Sequence, residues 1–373
     1  MKKVLYILGT RPEAIKLAPL IIAMQNTPGF NAEICVTGQH KDMTDQMLDF
    51  FKIRSDYNLK VMSRNQSLSL VTSKILTALD AVLEKAGPDL VVVQGDTASA
   101  FVGALAAYYR RIPIAHVEAG LRSGDKFSPF PEEGYRIMIS RLATYHFAPT
   151  QSALRNLKKE GIIDNVWITG NTVIDALLLT KKKIYDVKKH IHYKKKYKFS
   201  RSGNKIILVT GHRRESFGRP LEEVCRALID ISNKNKNTDI VYPVHPNPNV
   251  TSTVQKILGG RKRTHLIKPV DYPEFVWLMD RCHFIITDSG GVQEEASSLG
   301  KPVLITRKVT ERTESVEAGG SVVVGTDRKK ISKLSNELLR DPAHYKKMAR
   351  ARNLYGDGSA SKKIINIIRR YAR

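Results

Sequence analysis

The sequence of 373 residues contains few cysteines and no long apolar run. Its cysteines, Cys35, Cys225 and Cys282, are far apart and form no C-x-x-C pair. This spacing argues against a disulfide framework and a zinc site, and favours a reducing, cytoplasmic location. Apolar runs such as 90–93 are far shorter than the ~20 residues of a membrane-spanning helix. The stretch 4–8 is shorter than the ~7–15 apolar residues of a signal peptide. We therefore expect no integral membrane contact.

Acidic residues are also scarce, since 36 Asp and Glu stand against 61 Lys and Arg and give a formal net charge of +25. Such an excess favours an anionic partner, whether nucleic acid, an acidic membrane surface or a phosphorylated small molecule. The basic residues concentrate in segment 181–205, which has eleven Lys and Arg and one acidic residue. We interpret this segment as a solvated helix and linker at a domain junction. A nucleic-acid arm is less favoured because no recognisable nucleic-acid-binding fold surrounds it.

Short apolar runs bounded by turn residues alternate with helical patterns along the chain. These runs are 4–8, 32–36, 90–93, 114–117, 206–209, 240–243, 284–287 and 303–305. They are typical of strands buried on both faces of a parallel sheet. The sequence thus predicts an α/β fold with two Rossmann-like domains facing a cleft. We expect domains at 1–170 and 171–358, with the amphipathic C-terminal helix 359–373 joining the first.

The first candidate site follows the first predicted strand, where Gly9 begins a turn and Pro12 suits the first turn of a helix. The N-terminus of such a helix offers free N–H groups to an anion, and Arg11 and Lys16 add positive charge there. The pattern is not G-x-G-x-x-G, so a plain βα turn remains an alternative.

Acidic residues follow the predicted strands that end at 93 and 117. Asp96 and Glu118 should emerge at the carboxyl edge of the sheet, where ligands bind, and Glu132 follows a proline-rich loop. Each acid alone is more often a helix cap or an ion-pair partner. Three acids converging on one edge favour acid–base chemistry.

The second half of the chain repeats this arrangement. His212 follows a strand at a turn suited to phosphate, and Gly290 and Gly291 follow another strand where a helix begins. Glu295 lies one turn into that helix, where it could accept both hydroxyls of a ribose, and Arg312 is a candidate phosphate contact. A helix cap, a structural glycine turn and a surface arginine are the respective alternatives.

Seven short motifs, taken together in their order and spacing along the chain, carry a resemblance to a known family. They are Gly9-Thr10-Arg11-Pro12-Glu13-Ala14-Ile15-Lys16, Gly95-Asp96-Thr97, His116-Val117-Glu118-Ala119-Gly120-Leu121-Arg122, Pro131-Glu132-Glu133, Gly170-Asn171-Thr172-Val173-Ile174-Asp175, Gly211-His212-Arg213-Arg214-Glu215-Ser216 and Asp288-Ser289-Gly290-Gly291. Over residues 1–358 the chain resembles the non-hydrolysing UDP-N-acetylglucosamine 2-epimerases.

The resemblance implies the GT-B-type fold of nucleotide-sugar glycosyltransferases and a homodimer, with no cofactor and no metal. The implied catalytic residues are Asp96, Glu118, Glu132 and His212. The implied substrate-binding residues are Arg11 and Lys16, Val270 and Phe275 at uracil, Ser289, Gly290 and Gly291 at the diphosphate, Glu295 at the ribose, and Arg312 at further phosphate oxygens. Gln39, His40 and His245 match part of an effector site for the substrate in that family.

The implied reaction is reversible epimerisation at C2 between UDP-N-acetylglucosamine and UDP-N-acetylmannosamine. It proceeds by anti elimination of UDP to 2-acetamidoglucal and re-addition, and supplies N-acetylmannosamine units for bacterial surface polysaccharide. The alternatives are a hydrolysing epimerase that releases N-acetylmannosamine and UDP, a glycosyltransferase of the same fold, and, from the charge alone, a nucleic-acid-binding protein. We expect nucleotide sugars rather than nucleic acid as partners.

Overall fold

The computed structural model describes residues 1–39, 41–61, 66–211, 213, 216–351 and 354–371. The chain divides into two compact units. Unit 1 comprises Met1–Ala176 and Tyr355–Arg373, and unit 2 comprises Leu177–Leu354. Among the helices described, none has both the length and the apolar character needed to cross a membrane.

Unit 1 contains a parallel sheet. Its described strands are β1 (Lys2–Leu8), β2 (Phe30–Val36), β3 (Tyr57–Asn58), β4 (Leu90–Gln94), β5 (Ile114–Val117), β6 (Tyr145–Ala148) and β7 (Val166–Ile168). They lie in the order β3-β2-β1-β4-β5-β6-β7. The order reverses between β1 and β4, and in sheets of this type ligands bind beyond the carboxyl ends of the strands at such a reversal.

Helices cover this sheet and bury its apolar side chains. The described helices between the start of the chain and the first residues of unit 2 are α1 (Arg11–Gln25), α2 (Lys41–Phe51), α3 (Leu68–Ala86), α4 (Ala98–Tyr109), α5 (Glu132–Leu142), α6 (Gln151–Lys159) and α7 (Thr172–Asp186), the last of which continues into unit 2. Thr97 fixes the start of α4, because its Oγ1 accepts a hydrogen bond from Ala100 N at 3.1 Å. Val91 and Val93 of β4 are fully buried in the core that α3 and α4 cover. The turn after β4 is therefore held on a rigid scaffold.

Unit 2 has the same kind of sheet. Its described strands are β8 (Lys205–Thr210), β9 (Thr238–Pro243), β10 (Thr264–Ile267), β11 (Phe284–Thr287), β12 (Val303–Ile305) and β13 (Ser321–Val323), in the parallel order β10-β9-β8-β11-β12-β13. Its described helices are α8 (Lys189–Lys196), α9 (Arg219–Lys234), α10 (Pro248–Leu258), α11 (Tyr272–Arg281), α12 (Gly290–Ser298), α13 (Thr313–Glu317), α14 (Arg328–Arg340) and α15 (Pro342–Ala349). The reversal in this sheet falls between β8 and β11.

The predicted α/β class with two Rossmann-like sheets is confirmed, and each of the eight predicted runs lies within a strand. The pattern missed β6 and the edge strands β3, β7, β10 and β13. Edge strands are short and need burial on fewer sides, so they lack the continuous apolar run that marks an interior strand.

The interpretation of segment 181–205 was correct for the helix and wrong for the linker. The segment contains the end of α7, all of α8 and a 3₁₀ turn at Lys198–Arg201. Tyr193 and Tyr197 are buried, and their ring centroids lie 5.6 and 6.0 Å from that of Trp277. These contacts fix the segment to unit 2, whereas a linker would stay free in solvent.

The last described helix, α16 (Ala360–Tyr371), returns to unit 1 and packs against α1. Its buried face includes Ile364 and Ile368, which accounts for the amphipathic pattern in the sequence. The carboxylate of Asp175 accepts hydrogen bonds from the backbone N–H of Ala360 at 3.2 Å and of Ser361 at 2.8 Å. A side chain on α7 thus satisfies the N–H groups at the start of α16.

Candidate active site

The turn between β1 and α1 is organised around the buried carboxylate of Glu13. Its Oε2 accepts hydrogen bonds from Gly9 N at 3.0 Å, from Thr10 N at 2.7 Å and from Thr10 Oγ1 at 2.7 Å. Its Oε1 accepts one from Thr97 Oγ1 at 2.6 Å. Glu13 therefore joins the turn after β1 to the turn after β4, on the two sides of the sheet reversal.

Gly9 is required by the closeness of these two turns. A Cβ atom at Gly9 would lie 2.1 Å from Ser99 Oγ and 2.2 Å from Thr37 Oγ1. Both hydroxyls belong to buried residues that are hydrogen-bonded to each other at 2.7 Å. Any side chain at position 9 would push β1 and the start of α4 apart.

The central feature of unit 1 is a buried ion pair between Lys16 and Glu118. Lys16 Nζ lies 2.7 Å from Oε1 and 2.6 Å from Oε2 of Glu118. Glu118 is only 6% exposed. Gln94 Nε2 donates to Oε2, and Asn171 Nδ2 donates to Oε1 at 2.9 Å. These donors compensate the burial of the carboxylate charge and hold both oxygens in fixed positions.

The backbone at Glu118 is in the left-handed region, with φ at +66°. This conformation costs a residue other than glycine roughly 1 kcal/mol or more, and such residues cluster at functional sites. Because Glu118 directly follows β5, the conformation turns its side chain toward Lys16 of α1. The strain is therefore consistent with a carboxylate placed for chemistry.

A second cluster of charged side chains surrounds Arg136 of α5 and contains two carboxylates. Arg136 Nε and Nη2 lie 2.7 and 2.6 Å from Asp96 Oδ2, and Nη1 donates to Glu133 Oε2 at 2.8 Å. The other oxygen of Glu133 accepts from Ser123 N at 3.0 Å. Asp96 raises the pKa of Arg136 against the opposing effect of burial. The carboxylate of Asp96 thus stays beside a permanent cation.

Glu132, the third acid of the sequence prediction, has a different environment. It begins α5, and its Oε2 is buried without a hydrogen-bond partner among the residues that the structure describes. Buried carboxylate oxygens are nearly always paired with protein, water or ligand. Glu132 therefore has an acceptor available for a bound molecule, while its neighbour Glu133 is committed to Arg136.

The imidazole of His116, two residues before Glu118, is also part of this edge of the sheet. One ring nitrogen, Nε2, lies 2.8 Å from the carbonyl oxygen of Gly95. Burial lowers the pKa of His116 to about 4, so the ring is neutral at physiological pH. A neutral ring can donate to the Gly95 carbonyl and so hold the turn that carries Asp96.

In unit 2, a cation lies beside the N-terminus of α12. Arg312 Nε donates to Glu294 Oε1 at 2.7 Å, and a Cβ atom at Gly290 would lie 3.4 Å from Arg312 Cζ. Ser289 precedes the helix and Gly290 and Gly291 form its first turn. Backbone N–H groups, the helix dipole and a guanidinium together form an arrangement suited to an anion.

Glu295, in the same helix, is oriented by a tyrosine. The hydroxyl of Tyr272 donates to Glu295 Oε1 at 2.6 Å, and burial raises the pKa of Tyr272 well above its ordinary value. The hydroxyl therefore remains a donor at all physiological pH values. Val270 and Phe275 lie on either side of Tyr272 in the chain and are partly exposed. The residues predicted for ribose and uracil thus lie on or next to α11 and α12.

The remaining predicted residues have simpler surroundings. Arg11 is the first residue of α1 and is exposed. Gln39 Oε1 accepts from Ser99 Oγ at 3.0 Å, and His245 Nδ1 accepts from Asn247 N at 3.2 Å. His212 and His40 lie outside the described residues. The catalytic role of His212 and the effector site at Gln39, His40 and His245 stay predictions.

Comparison with known proteins bears on this arrangement. The sequence matches the family model described as UDP-N-acetylglucosamine 2-epimerase over residues 22–369. The chain belongs to this family. It is 50% identical to the UDP-N-acetylglucosamine 2-epimerase of Escherichia coli (strain K12), with 98% of each chain covered. The resemblance drawn from the motifs is therefore confirmed.

Solved structures agree with the family assignment. The UDP-GlcNAc 2-epimerase of Neisseria meningitidis, solved with UDP-GlcNAc bound, matches with a TM-score of 0.93 and 43% identity, covering 99% of this chain and 100% of the other. A sucrose-phosphate synthase of Thermosynechococcus elongatus matches with a TM-score of 0.64 and 11% identity, covering 99% of each chain. The second likeness concerns the fold alone, and the predicted GT-B-type fold is confirmed.

Sequence reasoning singled out Lys16 and Glu118 separately, and the structure brings them together. The sequence reasoning assigned no role to Gln94, Asn171 and Arg136. Their side chains hold the carboxylates of Glu118 and Asp96. Asn171 did belong to a quoted motif, and Arg136 stands three positions after Glu133, on the same helix face. Those two positions offered a signal in the sequence, although neither indicated a partner.

Proposed function

We propose that the chain interconverts UDP-N-acetylglucosamine and UDP-N-acetylmannosamine without net hydrolysis. Family membership supports the proposal, as does the ligand of the Neisseria meningitidis relative, UDP-GlcNAc. The observation that carries it is the buried carboxylate of Glu118, held by Lys16, Gln94 and Asn171 in a strained backbone conformation. Such fixed carboxylates suit proton transfer at carbon.

The nucleotide is assigned to unit 2. The backbone N–H groups of Ser289, Gly290 and Gly291 would bind the diphosphate at the N-terminus of α12. Arg312 would bind further phosphate oxygens, and its pairing with Glu294 sets the position of its guanidinium. In the same assignment Glu295 accepts the ribose hydroxyls, while Val270 and Phe275 pack against uracil.

The sugar chemistry is assigned to unit 1. A carboxylate removes the proton at C2 while the C1–O bond breaks, and the electron pair of the C2–H bond forms the C1–C2 double bond. The C1–O pair leaves with UDP, giving 2-acetamidoglucal. Cleavage of C1–O gives C1 oxocarbenium character, which makes the C2 proton more acidic. In the second half, a diphosphate oxygen attacks C1 and a proton is delivered to the opposite face of C2.

Two proton-transfer groups are needed, one for each face of the sugar, and Asp96, Glu118 and Glu132 are the candidates. Asp96 has a cation at 2.6 Å, whereas one buried oxygen of Glu132 lacks a hydrogen-bond partner among the described residues. That oxygen of Glu132 can therefore contact the sugar, whereas Asp96 is held by Arg136. We therefore assign Glu132 as an acid and Glu118 as a base, with Asp96 in support.

Positive charge must stabilise UDP as it leaves. Arg11, Arg312 and, in the same role, His212 are the proposed groups. The ammonium of Lys16 is paired with Glu118 in this structure. We propose that Lys16 holds that carboxylate in position before substrate binds. The negative charge of the bound substrate would then compete with Glu118 for the ammonium of Lys16.

The proposal extends to assembly and pathway. We propose a homodimer, an effector site that includes Gln39, His40 and His245, and a role in supplying N-acetylmannosamine units for bacterial surface polysaccharide. We also retain functional domains at 1–170 with 359–373 and at 171–358. The compact units divide the chain at nearby positions, after residues 176 and 354.

An NMR time course with UDP-N-acetylglucosamine in D₂O tests the activity. We expect UDP-N-acetylmannosamine to appear and deuterium to enter C2, with no UDP accumulating in proportion to turnover. Stoichiometric UDP with free N-acetylmannosamine would instead identify a hydrolysing epimerase. No isomerisation and no deuterium at C2, under conditions where UDP binds, would contradict the proposal and favour a transferase.

A further inference from the structure

A basic surface on α7, α8 and the following turn has no part in the proposed function. We call it the α8 surface and define it by its exposed cations, Lys182, Lys188, Lys189, Lys194, Lys195, Lys198 and Arg201. Among the described residues, Lys188, Lys194 and Lys195 form no ion pair. Two other lysines of the segment are neutralised, Lys181 by Asp280 and Lys196 by Glu274, each at 2.7 Å.

The α8 surface is preformed. Tyr193 and Tyr197 pack on Trp277, and the ring centroid of Phe199 lies 4.8 Å from that of His265. Because these aromatic side chains anchor the inner face of the segment to unit 2, the lysines are held together on its outer face. The backbone of the segment then loses little conformational entropy when the surface meets a partner.

Aliphatic side chains are exposed within the same surface. Val187 is 56% exposed and Ile191 is 42% exposed, and they lie on either side of Lys188 and Lys189. Both place exposed apolar area close in the chain to exposed lysines. Lysines around a small apolar contact are characteristic of segments that bind the surface of a bilayer.

The same features disfavour single-stranded nucleic acid as the partner. Binding of single strands uses exposed aromatic rings on which bases stack. Here Tyr193, Tyr197 and Phe199 are buried, and the half-exposed Tyr185 has its hydroxyl bonded to Asp280 and its ring stacked on His190. We propose that the α8 surface docks the protein on an anionic lipid bilayer, a property that does not depend on the proposed catalytic activity.

Co-sedimentation of the full chain with vesicles tests the proposal. We expect binding to vesicles of phosphatidylcholine with phosphatidylglycerol and none to phosphatidylcholine alone, at ~150 mM salt. A variant with Lys188, Lys194, Lys195 and Lys198 changed to Gln should bind about tenfold or more weakly. The control changes Lys329, Lys333, Lys346 and Lys347 to Gln, which removes the same charge from exposed positions on α14 and α15, and should retain binding.

A second variant, Val187→Ser with Ile191→Ser, keeps every charge. We expect it to lose the part of the binding that persists when salt is raised, because only the apolar contact resists screening. Equal binding to both vesicle types, or no binding to either, would overturn the proposal. So would equal losses in the two lysine variants, or tighter binding of the wild type to an oligonucleotide than to the anionic vesicles.

Discussion

The two units have the same parallel strand order around their sheet reversals but carry different chemical groups there. In unit 1, side-chain charges occupy the carboxyl edge of the sheet, as Lys16 with Glu118 and Arg136 with Asp96. In unit 2, the corresponding edge carries the glycine-rich first turn of α12, and Arg312 lies beside it. One scaffold thus presents paired side-chain charges in one unit and backbone N–H groups beside a guanidinium in the other.

The difference has an energetic side. Burying a charged pair costs desolvation free energy, and removing one partner leaves an uncompensated charge, at a cost of roughly 3–5 kcal/mol in buried sites. Unit 1 accepts this cost at Glu118. Backbone N–H groups at a helix N-terminus also lack intrahelical partners, but they carry only partial charges, so their burial costs less than that of an ionised side chain. The chemistry of unit 1 should therefore be the more sensitive to substitution.

The largest effect is expected for Glu118→Gln in unit 1. The amide keeps the shape of the side chain but cannot accept a proton, so deuterium exchange at C2 should fall by about 10³-fold or more. UDP affinity, measured by calorimetry, should stay within about twofold, since the nucleotide is assigned to unit 2. The matched control is Glu84→Gln, an exposed carboxylate on α3. A comparable loss of UDP binding would remove the proposed division of roles.

Arg312→Ala should have the opposite pattern. Loss of a charge-assisted contact to phosphate should weaken UDP binding by about 10- to 100-fold and raise KM similarly. Exchange at C2 under saturating substrate should change much less. Arg328→Ala removes an exposed arginine that is paired with Asp230, and serves as the control. A fall in kcat with unchanged UDP affinity would contradict the assignment.

Asn171→Ala should give a smaller loss within unit 1. The substitution removes the donor at 2.9 Å from Glu118 Oε1 while Lys16 and Gln94 remain. We expect kcat to fall about tenfold, because one of the contacts that fix the carboxylate is lost, with little change in KM. Asn171→Asp should be worse than Asn171→Ala, since it places a second carboxylate against Glu118. If both variants behave alike, Asn171 acts only through packing.

The smallest expected effect is the pH dependence of folding stability, which should differ between the two units. Burial lowers the pKa to about 4 for His116 and His146 in unit 1 and for His283 in unit 2. Between this value and the unfolded pKa of about 6.5, the unfolded chain binds more protons, so stability is lost as pH falls through that window. From about pH 7 to about pH 6, His116 and His146 should each remove roughly 0.7 kcal/mol, and the more exposed His283 should remove less because solvent screens it.

Amide hydrogen exchange can measure this difference. The opening free energy of β5 and β6, which carry His116 and His146, should fall by at least about twice as much as that of β11, which follows His283. His146→Phe should reduce the pH dependence in unit 1 and leave β11 unchanged. Equal pH dependence in both units would show that these histidines do not control it.

The strands that the sequence predicted are interior, where burial on both faces requires a continuous apolar run. The residues of the candidate site could be named from the sequence where a motif itself carries a charged residue, as at Lys16, Asp96 and Glu118, and their roles stay predictions. The contacts that hold those residues could not be predicted. Gln94 and Asn171 bond to Glu118 across 24 and 53 positions, and no local periodicity encodes such a pairing.

The return of α16 to unit 1 has a consequence for the order of folding during synthesis. The ribosome makes residues 1–176 first, yet the helix that packs on α1 follows the whole of unit 2. The carboxylate of Asp175 can form its hydrogen bonds only when Ala360 and Ser361 have been synthesised. The same holds for the backbone N–H of Asn171, which donates to the carbonyl oxygen of Tyr355 at 2.6 Å in the folded chain. Unit 2 can thus complete its contacts before unit 1 does. Asn171 also bonds to Glu118, so the surroundings of this carboxylate are completed only after the whole of unit 2 has been synthesised.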